Sequence, residues 1–186
     1  MDIIELMKKE VKERCHRPEN IYGTGIWSHH ILAVIENAQT LAKHYDADME
    51  VVTLAAILHD IASITKAEYA EEHHIIGGEM AEKLLRPLGY PQAKIEHIKL
   101  CILNHRGSKI SIKQSFEEVC LADADALSHF DNIPSLFRMV YKERGMTIDE
   151  GADFVKQKLE RSFSKLSEAT KTLYREKYLS VMSIFN

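Results

Sequence analysis

Nine residues constrain the rest of this chain: Leu54-Ala55-Ala56-Ile57-Leu58-His59-Asp60-Ile61-Ala62. Seven of the nine are apolar, and the apolar run begins earlier, at Val51-Val52. An aspartate is expensive to bury unless it is paired or bound to a cation. A histidine and an aspartate side by side in such a run therefore call for a partner: each other, the end of another helix, or a metal ion. Asp48 is placed to cap a helix and Glu50 falls in its first turn, so the pattern predicts one buried helix over about residues 49–64. Neighbouring side chains on a helix diverge by about 100°. An imidazole and a carboxylate at adjacent positions still converge on an ion lying between them.

The surrounding pattern is helical throughout. Residues 2–15 carry Ile3, Ile4, Met7 and Val11 on one side, and Pro18 to Gly25 reads as a loop. A helix follows from about Trp27 to Tyr45, with Ile31, Val34, Ala38 and Leu41 on one stripe and His30 one turn before Val34. From about Lys66 to Leu88 come Ile75, Met80, Leu84 and Leu85, together with His73-His74 and Gly77-Gly78. Each of those glycines is worse than alanine in a helix by about 1 kcal/mol, which marks close helix contact or room for a ligand. Residues 92–105 place Ile95, Ile98, Ile102 and Leu103 inward, and Gly107 follows as a stop signal. Residues 115–130 carry Phe116, Val119, Cys120, Ala126, Leu127 and Phe130, with Asp123 and Asp125 among them. Pro134 starts or interrupts the next helix. Thr147 to Glu150 reads as a capping box for a helix to about Leu166. The last segment, about 168–184, keeps Leu173, Tyr174, Tyr178, Leu179 and Met182. No strand alternation, internal repeat or linker interrupts the series. The expectation is an all-α, single-domain helical bundle over 1–186, with eight or nine helices.

A net charge of -4 without a basic run argues against nucleic acid as a scaffold partner and leaves small phosphorylated molecules open. The three cysteines, Cys15, Cys101 and Cys120, form no C-x-x-C pair, so neither a thiolate zinc site nor a disulfide framework is expected. Reduced thiols, a charged N-terminus without a signal-peptide core, and no apolar run near the ~20 residues a bilayer requires predict a cytoplasmic protein without a membrane partner. A homo-oligomer is left open.

Polar residues on apolar faces then collect in order: His30, His59-Asp60, His73 or His74, His105, and Asp123 or Asp125, on five predicted helices. Bundled helices aim side chains at a common centre. Any one of these histidines alone reads as a satisfied core or surface residue; the joint occurrence points to a cation. Imidazole and carboxylate without thiolate suit Zn, Mn, Fe, Ni or Co, and Mg on the oxygen-rich side.

His30, His59-Asp60 and the late Ala124-Asp125-Ala126-Leu127 resemble the H…HD…D signature of the HD-domain metal-dependent phosphohydrolase superfamily. The flanks are similar too. His30 to Ala38 resembles the first-histidine helix, with Ala33 where the family often carries Arg, and Leu54 to Ile61 resembles the second helix. His73 to Ala81 and Ile102 to His105 resemble segments that hold extra histidines in some members. The resemblance covers about 25–130, which makes this the HD-like metal-binding core, with C-terminal helices over 131–186.

It implies that His30, His59, Asp60 and Asp125 bind a first divalent metal, with Asp60 also accepting a proton from water as the catalytic group. Asp123, mid-stripe among Val119, Cys120, Ala126 and Leu127, is the alternative last ligand. Residues two apart on a helix diverge by about 200°, so only one of the pair binds, and Asp125 fits the family pattern. His73, His74 and His105 would hold a second ion or, with Arg106, the phosphate. Lys66, Arg86 and Lys109 read first as solvated charges. The expected function is metal-dependent hydrolysis of a small phosphorylated molecule, with a nucleotide foremost and one or two ions per chain. The alternatives are a non-catalytic metal- and nucleotide-binding regulatory module, or a di-iron oxidative enzyme on the same scaffold.

Overall fold

The computed structural model describes residues 2–106 and 113–185. Gly107 and Lys109 lie outside the described residues. Two compact units make up the chain, Met1–Asp125 and Ala126–Asn186.

The first unit is built around α3 (Met49–Leu58), which packs against α1 (Ile3–Cys15), α2 (Leu32–Tyr45) and α6 (Gln92–Asn104). Asp48 caps α3 by accepting from the N–H groups of Glu50 and Val51 at 3.0 and 3.1 Å. From Val52 to Ile64 nearly every apolar side chain is sealed from solvent, including Leu54, Ile57, Leu58, Ile61 and Ile64. Burial of each such Leu or Ile contributes about 1.5–3 kcal/mol.

The expected single helix over 49–64 is broken at the His-Asp pair. α3 stops at Leu58 and α4 restarts at Ile61–Thr65. Between them Asp60 leaves helical geometry for φ -103°, ψ 12°, in the sparsely used bridge region. The break turns the Asp60 carboxylate toward the His59 ring, so two side chains that a regular helix would splay apart come within 3.4 Å. Counting α3 and α4 as one interrupted helix gives nine α-helices among the described residues.

A second difference follows. The helix expected from Lys66 begins only at His73, after a 3₁₀ turn over Ala67–Tyr69; α5 is His73–Leu85. Its inward line is His74, Gly77, Gly78, Ala81 and Leu85, while Ile75 is 46% exposed. The glycines are the reason. A β-carbon on Gly77 would lie 3.3 Å from Ile102 Cγ2 and 3.4 Å from the His59 carbonyl, so the bare backbone packs where a larger residue was expected. On α6, Ile95, Ile98, Cys101 and Ile102 are buried, whereas Leu103 is half-buried.

His30 sits in a π-helical turn, Trp27–Ile31, that leads into α2. α7 (Phe116–Asp131) supplies Asp125 and continues into the second unit. There α8 (Ile133–Arg138) carries Pro134 in its first turn. α9 (Ile148–Lys165) opens on the capping box, with Thr147 N–H donating to Glu150 at 3.0 Å. α10 (Glu168–Met182) buries Thr170, while Leu173 and Leu179 are 51% and 56% exposed. Tyr178 instead anchors this helix by stacking on Phe163 at 4.0 Å.

Candidate metal centre

Four elements of the first unit deliver histidines to one place: His30 from the π-helical turn, His59 from the end of α3, His73 from the first position of α5, and His105 from the residue closing α6. Asp60 stands among them. Its Oδ2 is 3.3 Å from His30 Nε2 and 3.4 Å from His59 Nε2, and its Oδ1 is 3.7 Å from His73 Nε2. Asp125 Oδ1 approaches His30 Nε2 at 3.5 Å. Two groups have the spacing to hold a cation: His30, His59 and Asp60, and Asp60, His73 and His105, with Asp60 common to both. Exposure grades across the site, from His59 with 1% of its side chain accessible to Asp125 with 29%.

The histidines are oriented by the main chain. Nδ1 of His59, His73 and His105 meets the carbonyl three residues earlier, Ala56 at 2.8 Å, Ala70 at 2.7 Å and Ile102 at 2.5 Å. With Nδ1–H donating there, a neutral ring presents the lone pair of Nε2 inward. His73 and His105 then point two lone pairs at each other across 3.2 Å. Two acceptors at that distance repel unless a proton or a cation lies between them. The donor set is nitrogen and oxygen only, which suits a borderline or hard divalent ion.

The Asp60 carboxylate attracts positive charge, as a proton on His59 or as a cation in its place. Burial pulls the His59 pKa down, but the Asp60 carboxylate outweighs it and pushes it up to about 9. Burial, then the neighbouring His59 charge, pulls His105 down to about 4. Burial would raise Asp60, but His59 and His30 hold it well below the usual carboxylate range. The site thus keeps an anionic oxygen pair facing imidazole nitrogens.

The remaining sequence candidates have other neighbours in the structure. Asp123 is buried and its charge acts on half-buried Lys113. His74 is buried edge-on to His73, with ring centroids 5.7 Å apart. Neither belongs to the two cation-holding groups, nor does Asp125, whose approach is to His30. Arg106 Nη1 donates to the Glu71 carbonyl at 2.5 Å and lies 3.3 Å from its carboxylate. Lys66 lies over the Tyr69 ring, and Arg86 pairs with Glu82. Burial raises the thiols of Cys15 and Cys120 to about 11 and about 12, so neither is an activated nucleophile. Sequence reasoning missed the orienting carbonyls of Ala56, Ala70 and Ile102, because a backbone acceptor has no residue signature. Among the described residues no helix is long and apolar enough to cross a membrane.

An HD domain model matches residues 27–129, from the turn carrying His30 past Asp125. An uncharacterized protein of Methanocaldococcus jannaschii is 34% identical over 93 residues, 47% of this chain and 49% of that one. The match thus spans about half the length of that curated relative. The crystal structure of Bacillus subtilis YpgQ in complex with ADP shares the fold with a TM-score of 0.66 at 18% identity, over 94% of this chain and 90% of that one. A predicted HD superfamily hydrolase from an uncultured Thermotogales bacterium does so with a TM-score of 0.58 at 24% identity, over 95% and 99%. With the ordered histidines and aspartates inside a matched region covering more than half of its length, the chain belongs to the HD domain family.

Proposed function

We propose that this protein is a metal-dependent phosphohydrolase acting on a small phosphorylated molecule, a nucleotide foremost. The observation that carries the reading is the single Asp60 carboxylate shared by two donor groups, one oxygen facing each. His30, His59 and Asp60, with Asp125, would hold one ion; His73 and His105, with the other Asp60 oxygen, would hold a second ion or the phosphate. The donor chemistry suits Mn, Fe, Co, Ni or Zn, and Mg where oxygen dominates. When bound, a divalent cation supplies positive charge against phosphoryl oxygens and acidifies water.

The chain's own residues do the rest. The Nδ1 bonds lock the histidine rings so that Nε2 faces the substrate side. Asp60 stays anionic, and its carboxylate is the group that would accept a proton from water. Asp125 and His30 line the more open side, where a substrate enters. A net charge of -4 without a basic run favours a small molecule over a long nucleic acid. The ADP held by YpgQ, on the same fold, supports a nucleotide.

The shared carboxylate also fits two irons, which keeps the oxidative reading in play. A panel of nucleoside phosphates and sugar phosphates, each with Mn, Mg, Co and Ni, tests the proposal. Metal-dependent phosphate release supports it. Silence from metal-replete protein transfers the assignment to a regulatory module, and oxygen uptake by iron-loaded protein transfers it to the oxidative enzyme.

A further inference from the structure

A buried carboxylate stands in the first turn of α7. Ser115 precedes the helix, and Glu118 is its third residue. The Glu118 N–H donates to Ser115 Oγ at 3.2 Å, and Ser115 Oγ donates to Glu118 Oε1 at 3.4 Å. The pair caps the helix much as Thr147 and Glu150 cap α9. There the resemblance ends, since Glu150 is exposed and Glu118 is only 2% exposed. Burying a carboxylate is costly unless its oxygens are hydrogen-bonded, and capping engages only one of them.

The other oxygen reaches the metal centre's support. Glu118 Oε2 accepts from Asn104 Nδ2 at 2.7 Å, across 14 positions of the chain. Asn104 is the last residue of α6 and directly precedes His105. Its main chain is held as well, because Lys113 Nζ donates to the Asn104 carbonyl. A helix leaves its last carbonyls without partners inside the helix. At this end Ile102 gives its carbonyl to His105 Nδ1 at 2.5 Å, and Asn104 gives its own to Lys113. Side chain and carbonyl of the residue entering His105 are thus both fixed. The buried His105 ring, with Nε2 3.2 Å from His73 Nε2, takes its place from that helix end.

We propose that Glu118 is a positioning residue for the donor group of Asp60, His73 and His105. By holding Asn104 it keeps His105 opposite His73, and so sets that group's affinity for a divalent cation without touching the ion. This assignment rests on the metal-dependent reading above, with this group as the second ion site. The group of His30, His59 and Asp60 uses no residue of α6 or of its end, so the effect falls on one site of two.

The test is calorimetric titration of the metal-free full chain with manganese(II) alone, which resolves the two equivalents and needs no substrate. Glu118→Ala is expected to weaken the second equivalent by about tenfold or more and to leave the first within about twofold, as for other groups that hold a metal ligand from behind. Glu118→Gln keeps an oxygen for Asn104 Nδ2 and keeps both affinities. Asn104→Ala removes the same bond from its less buried end, so it repeats the selective loss even where Glu118→Ala unfolds. The double variant weakens the second equivalent no further than either single one, because both remove one bond. Equal losses at both equivalents, an unchanged second equivalent in Asn104→Ala, or Glu118→Gln as damaging as Glu118→Ala overturns the proposal. Wild type that binds a single ion overturns the Glu118 assignment and leaves the phosphohydrolase reading standing on the first group. Wild type that binds none overturns both.

Discussion

Gly77 rests against the main chain of His59: a β-carbon at position 77 would stand 3.4 Å from the His59 carbonyl oxygen. Beyond it, Ile102 Cγ2 would be 3.3 Å away. The close approach of α5 to His59 that brings His73 beside Asp60 thus relies on Gly77, which carries no side chain. Gly77→Val is expected to destabilise the fold by about 1–3 kcal/mol through overpacking and to weaken metal binding. Gly78 differs, since its β-carbon would meet Lys99 at an ordinary 3.6 Å. Gly78→Ala is expected to stabilise by up to about 1 kcal/mol through helix propensity. Urea unfolding of both variants checks the contrast; a loss at Gly78 matching that at Gly77 would refute it.

Asp123 and Asp125 are expected to separate cleanly. Asp125 faces His30, whereas Asp123 is buried near Lys113. Asp125→Asn should lose at least about tenfold in metal affinity, the scale of ligand-sphere changes. Asp123→Asn should lower the melting temperature and retain metal. Calorimetric metal titration of the pair decides, and a metal-free Asp123→Asn would reverse the assignment.

His59→Ala and Asp60→Ala should each abolish metal binding and hydrolysis while the far-ultraviolet circular dichroism stays helical. His73→Ala should remove only the second ion, because the group of His30, His59 and Asp60 does not use it. Elemental analysis is the readout: about two ions per chain in wild type, about one in His73→Ala, and none in the first two variants. Full metal content in Asp60→Ala would remove Asp60 from the centre.

Asp48 offers a pH test away from the metal. Burial raises its carboxyl pKa, but the Val51 N–H and Lys94 outweigh that and hold it below the ordinary value. A folded-state value below the unfolded one contributes stability above the unfolded carboxylate pKa of about 4, and the contribution fades as pH falls through the folded value. Asp48→Ala should therefore cost about 1 kcal/mol near neutral pH, with the gap narrowing in acid. Denaturant melts of both proteins at about pH 7 and about pH 3 measure it. An unchanged gap would mean that the charge contributes nothing.

The residues gathered at the centre stood out in the sequence because each interrupts an apolar helix face, a signal that periodicity detects. Periodicity could not show where the chain leaves the helix. The break at Asp60 satisfies a tertiary demand, and the apolar run around it reads as unbroken helix. The delayed start of α5 was hidden for the same reason, since residues 66–72 continue the helical spacing that the 3₁₀ turn abandons. On α10 apolar spacing does not report burial. Leu173 and Leu179 carry apolar spacing, but Thr170 is the side chain that helix buries. Arg106 was legible through its place after His105, whereas its hydrogen bonds to Glu71 are long-range and invisible to spacing.

The carbonyls that aim His59, His73 and His105 belong to Ala56, Ala70 and Ile102, and every amino acid brings a carbonyl. The tautomers of this centre are therefore written into chain geometry and not into neighbouring side chains. Substitutions at 56, 70 and 102 that respect local volume can drift without rotating a ring. The orientation of the centre is thus mutationally robust, inherited with the helix ends themselves.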